Sequence, residues 1–172
     1  MKSIFIWNLW RALPWLTGIL LFSQPAMLHA SPDPCSLITP REISEVFGQP
    51  FDPPHRTDTP AGSLEGPSVT CTYKSKTLEL TVSSFEYLTA DQSSHYWETQ
   101  RSRAFDKDKL GPRTAIDVQG VGESAYYFHG SLQSHAGVHE YNFTVGPSSL
   151  AYSRDWRREL IPVAKLFYSR LK

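Results

Sequence analysis

Cys35 and Cys71 constrain this chain more than any other pair of residues in it. They are its only two cysteines, and they follow a stretch with the features of an export signal. Lys2 and Arg11 supply positive charge there without any acid. Ala12 to Phe22 is an apolar run of the length a signal core needs, and it is too short to span a bilayer. Ser23-Gln24-Pro25-Ala26 breaks the run, and Leu28-His29-Ala30 offers a small residue at a cleavage position. The expectation is a signal peptide over residues 1–30 and a single domain over 31–172, with no stable membrane span after cleavage. An uncleaved N-terminal anchor is the alternative, because Ile4, Phe5, Ile6 and Trp7 lengthen the apolar region. In an exported chain two cysteines read as one structural disulfide, and their spacing is unlike the Cys-x-x-Cys of a redox pair. A Cys35–Cys71 bond closes a long loop, and chain entropy puts its contribution at roughly 4 kcal/mol. Ser31-Pro32-Asp33-Pro34 before Cys35 is not the small-residue run of a lipoprotein cleavage site, so no lipid anchor is expected.

The residues after Cys35 spell a helix with both its ends. Thr39 reads as the N-cap, Pro40 as the first helical residue, and Glu42 completes a capping box. Ile38 and Ile43 are spaced for a hydrophobic staple. Ile43, Val46 and Phe47 form one apolar stripe, and Gly48 suits the left-handed residue that stops the helix. Gln49 to Ser68 then carries five prolines and two glycines, a density that reads as a long surface loop.

Alternation follows. Val69, Cys71 and Tyr73, then Leu78, Leu80 and Val82, predict a hairpin turning at Ser75-Lys76. Thr89 caps a second helix with Gln92 at the reciprocal position, and Trp97, Arg101, Ala104 and Phe105 extend it to about residue 105. Lys107 to Pro112 ends it. The Gly-x-Gly of Val118-Gln119-Gly120-Val121-Gly122-Glu123-Ser124-Ala125 reads as a tight turn into a strand, since neither a helix nor a Lys-Ser/Thr pair follows to make a phosphate loop. Ala125–His129 and Val138–Val145 are expected as the third and fourth strands, the latter with His139, Tyr141, Phe143 and Val145 on one face. Leu150–Ser153 is expected as a short fifth. The last helix runs from about Asp155 to Leu171 on Trp156, Leu160, Val163, Ala164, Phe167 and Leu171, and Pro162 demands either a late start or a kink. The order α-β-β-α-β-β-β-α predicts an α+β fold, an antiparallel sheet of four to five strands with helices on one face.

Three short motifs carry a resemblance: Asp33-Pro34-Cys35-Ser36-Leu37-Ile38-Thr39, with the helix ending Val46-Phe47-Gly48-Gln49-Pro50; Cys71-Thr72-Tyr73; and Val118 to Ala125. Together they resemble a domain-of-unknown-function family of actinobacterial-type envelope lipoproteins. Its members open with Pro-Cys-Ser-Leu-Leu-Thr, continue to a Cys-x-Tyr strand and carry a Val-x-Gly-Leu-Gly-Asp-x-Ala turn. The resemblance implies an exported, disulfide-bonded α+β domain and supplies no catalytic residue. This chain lacks the family's lipid-attachment cysteine and carries Glu123 where Asp is usual.

Charge narrows the function classes. Seventeen basic residues balance seventeen acidic ones, and removing residues 1–30 would leave a slight acidic excess, which is no footprint for nucleic acid. The basic C-terminal helix is read first as a solvated face, with contact to anionic lipid or a partner as the alternative. His129, His135, His139 and Glu140 crowd into twelve residues, so a metal site must be weighed. On one strand His135 and His139 would stand about 13 Å apart, too far to share one Zn²⁺ unless Gly137 bends the chain. The sequence shows no Gly-x-Ser-x-Gly elbow, no free thiol and no defensible carboxylate pair. Its many aromatics, Trp97, Trp156, Tyr126, Tyr127, Tyr141 and Tyr168 among them, could line a ligand groove, but are expected first as packing. The expectation is an exported, periplasmic or secreted, non-enzymatic envelope protein without a cofactor, binding a protein or small molecule. A metal-dependent or hydrolytic enzyme using the His129–Glu140 region is the alternative, and a purely structural envelope component is another.

Overall fold

The computed structural model describes residues 33–61, 66–110, 114–147 and 154–171. The segment expected as a signal peptide and the strand expected at Leu150–Ser153 lie outside them. The elements run α1 (Pro40–Phe47), β1 (His55–Thr59), β2 (Ser68–Lys74), β3 (Glu79–Glu86), α2 (Ala90–Ala104), α3 (Lys107–Leu110), β4 (Ile116–Asp117), β5 (Ser124–Phe128), β6 (Ser131–Ala136), β7 (His139–Gly146) and α4 (Arg157–Ser169), with a 3-10 turn at Pro34–Ser36 before α1. One antiparallel sheet holds all seven strands, in the order β1-β2-β3-β7-β6-β5-β4.

The fold begins as a covalent and hydrogen-bonded knot. Cys35 is joined to Cys71 on β2. Thr39 caps α1, its Oγ1 accepting from the Glu42 N–H at 3.3 Å while Glu42 Oε2 accepts from the Thr39 N–H at 2.9 Å. Ile38 and Ile43 are both buried in one core, and Gly48 takes the left-handed conformation, φ 69°, that ends the helix. The buried Tyr73 of β2 donates its hydroxyl to the Ile38 carbonyl at 3.0 Å. From the other end of the chain, Arg170 donates to the Leu37 carbonyl at 2.8 Å and to both oxygens of Glu42. One carboxylate thus closes the first helix and holds the last.

Strand alternation then sorts the side chains onto two unequal faces. The front face carries Leu80, Val82, Leu132, Tyr141, Phe143 and Val145, buried beneath Ile43 of α1 and Leu160, Val163, Ala164 and Phe167 of α4. At roughly 1.5–3 kcal/mol for each fully buried large apolar side chain, this is the main core. Gly122, at φ 57°, lets the turn before β5 press against it: a Cβ there would sit 2.7 Å from the His135 carbonyl oxygen and 3.0 Å from the Tyr168 ring. Only glycine fits, which is the physical content of the Gly-x-Gly. Tyr126, one residue before the front-facing Tyr127, points to the back face and packs with Trp97 and Ala104 of α2.

Several expectations need correction. The described residues hold seven strands rather than four to five. β1 forms inside the stretch read as a loop, and β6 was not foreseen. Helices cover both faces, not one, because α2 crosses the back of the sheet. A further short helix, α3, occupies residues read as a helix end. Pro162 lies inside α4 and is exposed, as is Arg158, whose carbonyl the missing N–H would have met. No helix among the described residues is long and apolar enough to cross a membrane.

Two tests follow from the knot. Cys35→Ser/Cys71→Ser should lose roughly 2–5 kcal/mol in denaturant melts, with first proteolytic cuts between Gln49 and Ser68. A variant as stable as wild type would contradict the arrangement. The second test uses pH. Hydrogen bonds from Arg170, and then from Thr39, lower the Glu42 carboxyl from its ordinary 4.5 to about 2. A depressed folded value means stability present above about 4.5 and lost as pH falls towards 2. The stability gap between wild type and Glu42→Gln should therefore be widest near neutrality and shrink across that window; a gap constant with pH would show that the carboxylate's charge is not what matters.

Candidate functional site

Helix α2 is mostly polar. Thr89 caps it by accepting from the Gln92 N–H at 3.2 Å, and its buried residues are Ser93, Trp97 and Ala104. These recur at i, i+4 and i+11 and make a narrow stripe, so the helix rests on the sheet along a line. Trp97 lies 5.1 Å from the Tyr126 ring and 5.5 Å from the His135 ring, centre to centre. A cylinder touching a plane along a line leaves a gap on each flank, and both gaps are present.

The larger gap is a groove of about 410 Å³. Tyr96, Thr99, Gln100 and Arg103 line it from α2, and Tyr126, Phe128 and Gln133 from β5 and β6. The Tyr126 hydroxyl donates to Gln133 Oε1, which leaves the Gln133 amide N–H groups for other acceptors. Burial pushes the Tyr126 hydroxyl pKa upward, so it stays a neutral donor. Among the described residues, Arg103 is the one charged residue on this lining. From Gln133 the strand register continues the back face as a row, Asn142, Ser83 and Thr70, one residue from each successive strand. A parallel row holds Ser131, Thr144, Thr81 and Thr72. These side chains are half-buried and uncharged, and hydrogen bonds link several of them: Ser131 Oγ lies 3.0 Å from Thr144 Oγ1, which donates to Asn142 Oδ1 at 3.0 Å, and Thr70 Oγ1 lies 3.1 Å from Ser83 Oγ.

The smaller gap, about 220 Å³, is lined by Glu98, Arg101, Glu123 and His135 among others. His135 Nε2 lies 2.8 Å from Ser93 Oγ, and His135 Nδ1 lies 3.8 Å from Glu123 Oε2. Serine, histidine and carboxylate in this order are the groups of a hydrolytic triad. Ser93, however, has no exposed surface and is absent from the lining of the gap onto which His135 opens. Its hydroxyl meets no carbonyl carbon from outside. The arrangement does satisfy two buried polar groups that would otherwise cost about 1–3 kcal/mol each.

The four residues weighed for a metal are dispersed. Gly137 and Val138 turn the chain, so His135 and His139 occupy different strands and point to opposite faces. Glu140 faces His135 across the hairpin and accepts from the Tyr87 hydroxyl at 3.0 Å. His129 sits at the other end of β6, at φ 52°, its ring 4.0 Å from that of Phe128. His139 is held below its usual pKa by burial. Among the described residues, three potential ligands converge only at Asp33, Cys35 and Cys71, where the disulfide removes both thiolates.

Sequence reasoning allowed a ligand groove among the aromatics, Tyr126 included, but did not place it beside α2. Tyr96, Gln100 and Arg103 recur at i, i+4 and i+7, and Tyr126 and Phe128 alternate outward around Tyr127. Both signals are in the sequence, but each alone reads as an ordinary solvated or packed surface. No family model, no curated protein and no solved structure matches this chain.

Proposed function

We propose that this chain is an exported, non-enzymatic domain that binds a small molecule in the groove beside α2. One observation carries the reading: a concavity of about 410 Å³ lined by three aromatic rings and a few polar groups, the usual make-up of a ligand site. Among the described residues its lining offers no acid–base pair, since Arg103 is the single charged residue there. The Cys35–Cys71 bond supports export, because structural disulfides persist in oxidising compartments. The signal-like first thirty residues and the resemblance to envelope lipoproteins support the same compartment.

A hydrolytic reading draws on the 2.8 Å contact between Ser93 and His135, and the burial of Ser93 weighs against it. Three measurements test the reading. Mass spectrometry of the native protein should find an N-terminus at Ser31 and no lipid. Amide NMR spectra recorded with a panel of saccharides, amino acids, nucleosides and fatty acids should show one class shifting Tyr96, Gln100, Phe128 and Gln133. A fluorophosphonate probe should leave Ser93 unmodified. Labelling of Ser93 would replace this reading with hydrolysis, and a panel that moves no groove amide would leave a purely structural role.

A further inference from the structure

We infer that the groove and the hydroxyl rows beside it bind an acidic glycan, a chain of sugar units bearing carboxylates; this rests on the groove reading above. A sugar has an apolar C–H face and a rim of hydroxyls that both donate and accept. The groove presents the matching pair of surfaces. Tyr96 and Phe128 supply ring area, and rings of this kind combine a large apolar face with little conformational cost on binding. Gln100 and Gln133 supply amides that donate and accept.

The shape of the polar surface points to a chain of sugars rather than one. The row Thr70, Ser83, Asn142, Gln133, Tyr126 crosses five neighbouring strands. At about 4.8 Å per strand it is roughly 19 Å long. Every side chain in it carries a hydroxyl or an amide, and none is charged. A lipid tail would leave this surface unsatisfied. A peptide adding a strand needs free backbone groups, which the interior strands β3, β7 and β6 have already spent on their neighbours.

The charge comes from Arg103. It is exposed, makes no ion pair among the described residues, and stands on a groove whose described lining holds no acid. A guanidinium meets a carboxylate with two parallel charge-assisted hydrogen bonds, roughly twice as strong as those it makes to the uncharged hydroxyls of a neutral sugar. An uncharged surface ending at one arginine therefore favours a glycan with an acidic unit over a neutral glycan.

The test is a calorimetric and NMR titration of the protein with tetragalacturonate, cellotetraose and tetraglutamate. Tetragalacturonate is expected to bind tightest and to shift amides of Tyr96, Gln100, Gln133 and Asn142. Arg103→Gln should weaken it by about tenfold and leave cellotetraose unchanged. Phe128→Ala should weaken both sugars, while Lys76→Gln, in the distant β2–β3 turn, should weaken neither. Tetraglutamate binding as well as tetragalacturonate would overturn the glycan assignment, and Arg103→Gln without effect would overturn its acidic character. If no saccharide binds but another class of compound shifts the same amides, the glycan inference fails and the groove reading stands.

Discussion

A sheet has two faces, and this chain has apolar side chains enough to bury only one of them fully. That shortage organises the molecule. The front face takes α1 and α4 and most of the large aliphatic and aromatic residues, which are buried at its centre. The back face is left with α2, whose contact with the sheet narrows to Ser93, Trp97 and Ala104. What α2 does not cover must be polar enough to face water, and it is: threonines, serines, Asn142 and Gln133 fill those positions. The groove forms where the line of contact ends and the hydroxyl rows begin. Its place follows from how unevenly hydrophobic residues are distributed, before any ligand is considered.

The N-terminal knot makes the front face possible with a short helix. At eight residues, α1 is too short to be stable in isolation. It is held by a cap at one end, a glycine at the other, a disulfide to β2, the Tyr73 hydroxyl on the Ile38 carbonyl, and the guanidinium of Arg170. The Glu42 side chain is engaged twice, closing the capping box and meeting Arg170. The first and last helices are thereby coupled through one carboxylate over the same core.

Features set by local chemistry were legible in the sequence. The α1 cap, staple and glycine stop came directly from residue types at fixed offsets, as did the Thr89 cap of α2, and the Cys35–Cys71 pairing came from these being the chain's only two cysteines. β1 was not legible because all five of its residues are exposed. It pairs with β2 through backbone groups, which leave no hydrophobic pattern. β6 was hidden for a related reason. Its inward Ser134 is polar, satisfied by the Tyr141 carbonyl at 3.3 Å and the Tyr168 hydroxyl at 3.0 Å, so Ser-Leu-Gln-Ser-His-Ala does not alternate in hydrophobicity. With β6 missing, His135 and His139 were placed on one strand and a metal site had to be weighed. The register of β6 against β7 separates them. The groove depends on that same register, since Gln133 and Asn142 become neighbours only once β6 is in place.

Helix α2 is the lightly held element, lying along a line over a polar face, while the front layers form one cooperative core. Native-state hydrogen exchange measures this residue by residue. Amides of α2 are expected to exchange through a local opening of markedly lower free energy than those of β3, β7 and α4, which should exchange only with global unfolding. If α2 amides near Trp97 and Arg101 were protected to the same free energy as β3 and β7, α2 would belong to the cooperative core, and the groove would not be the product of a narrow contact.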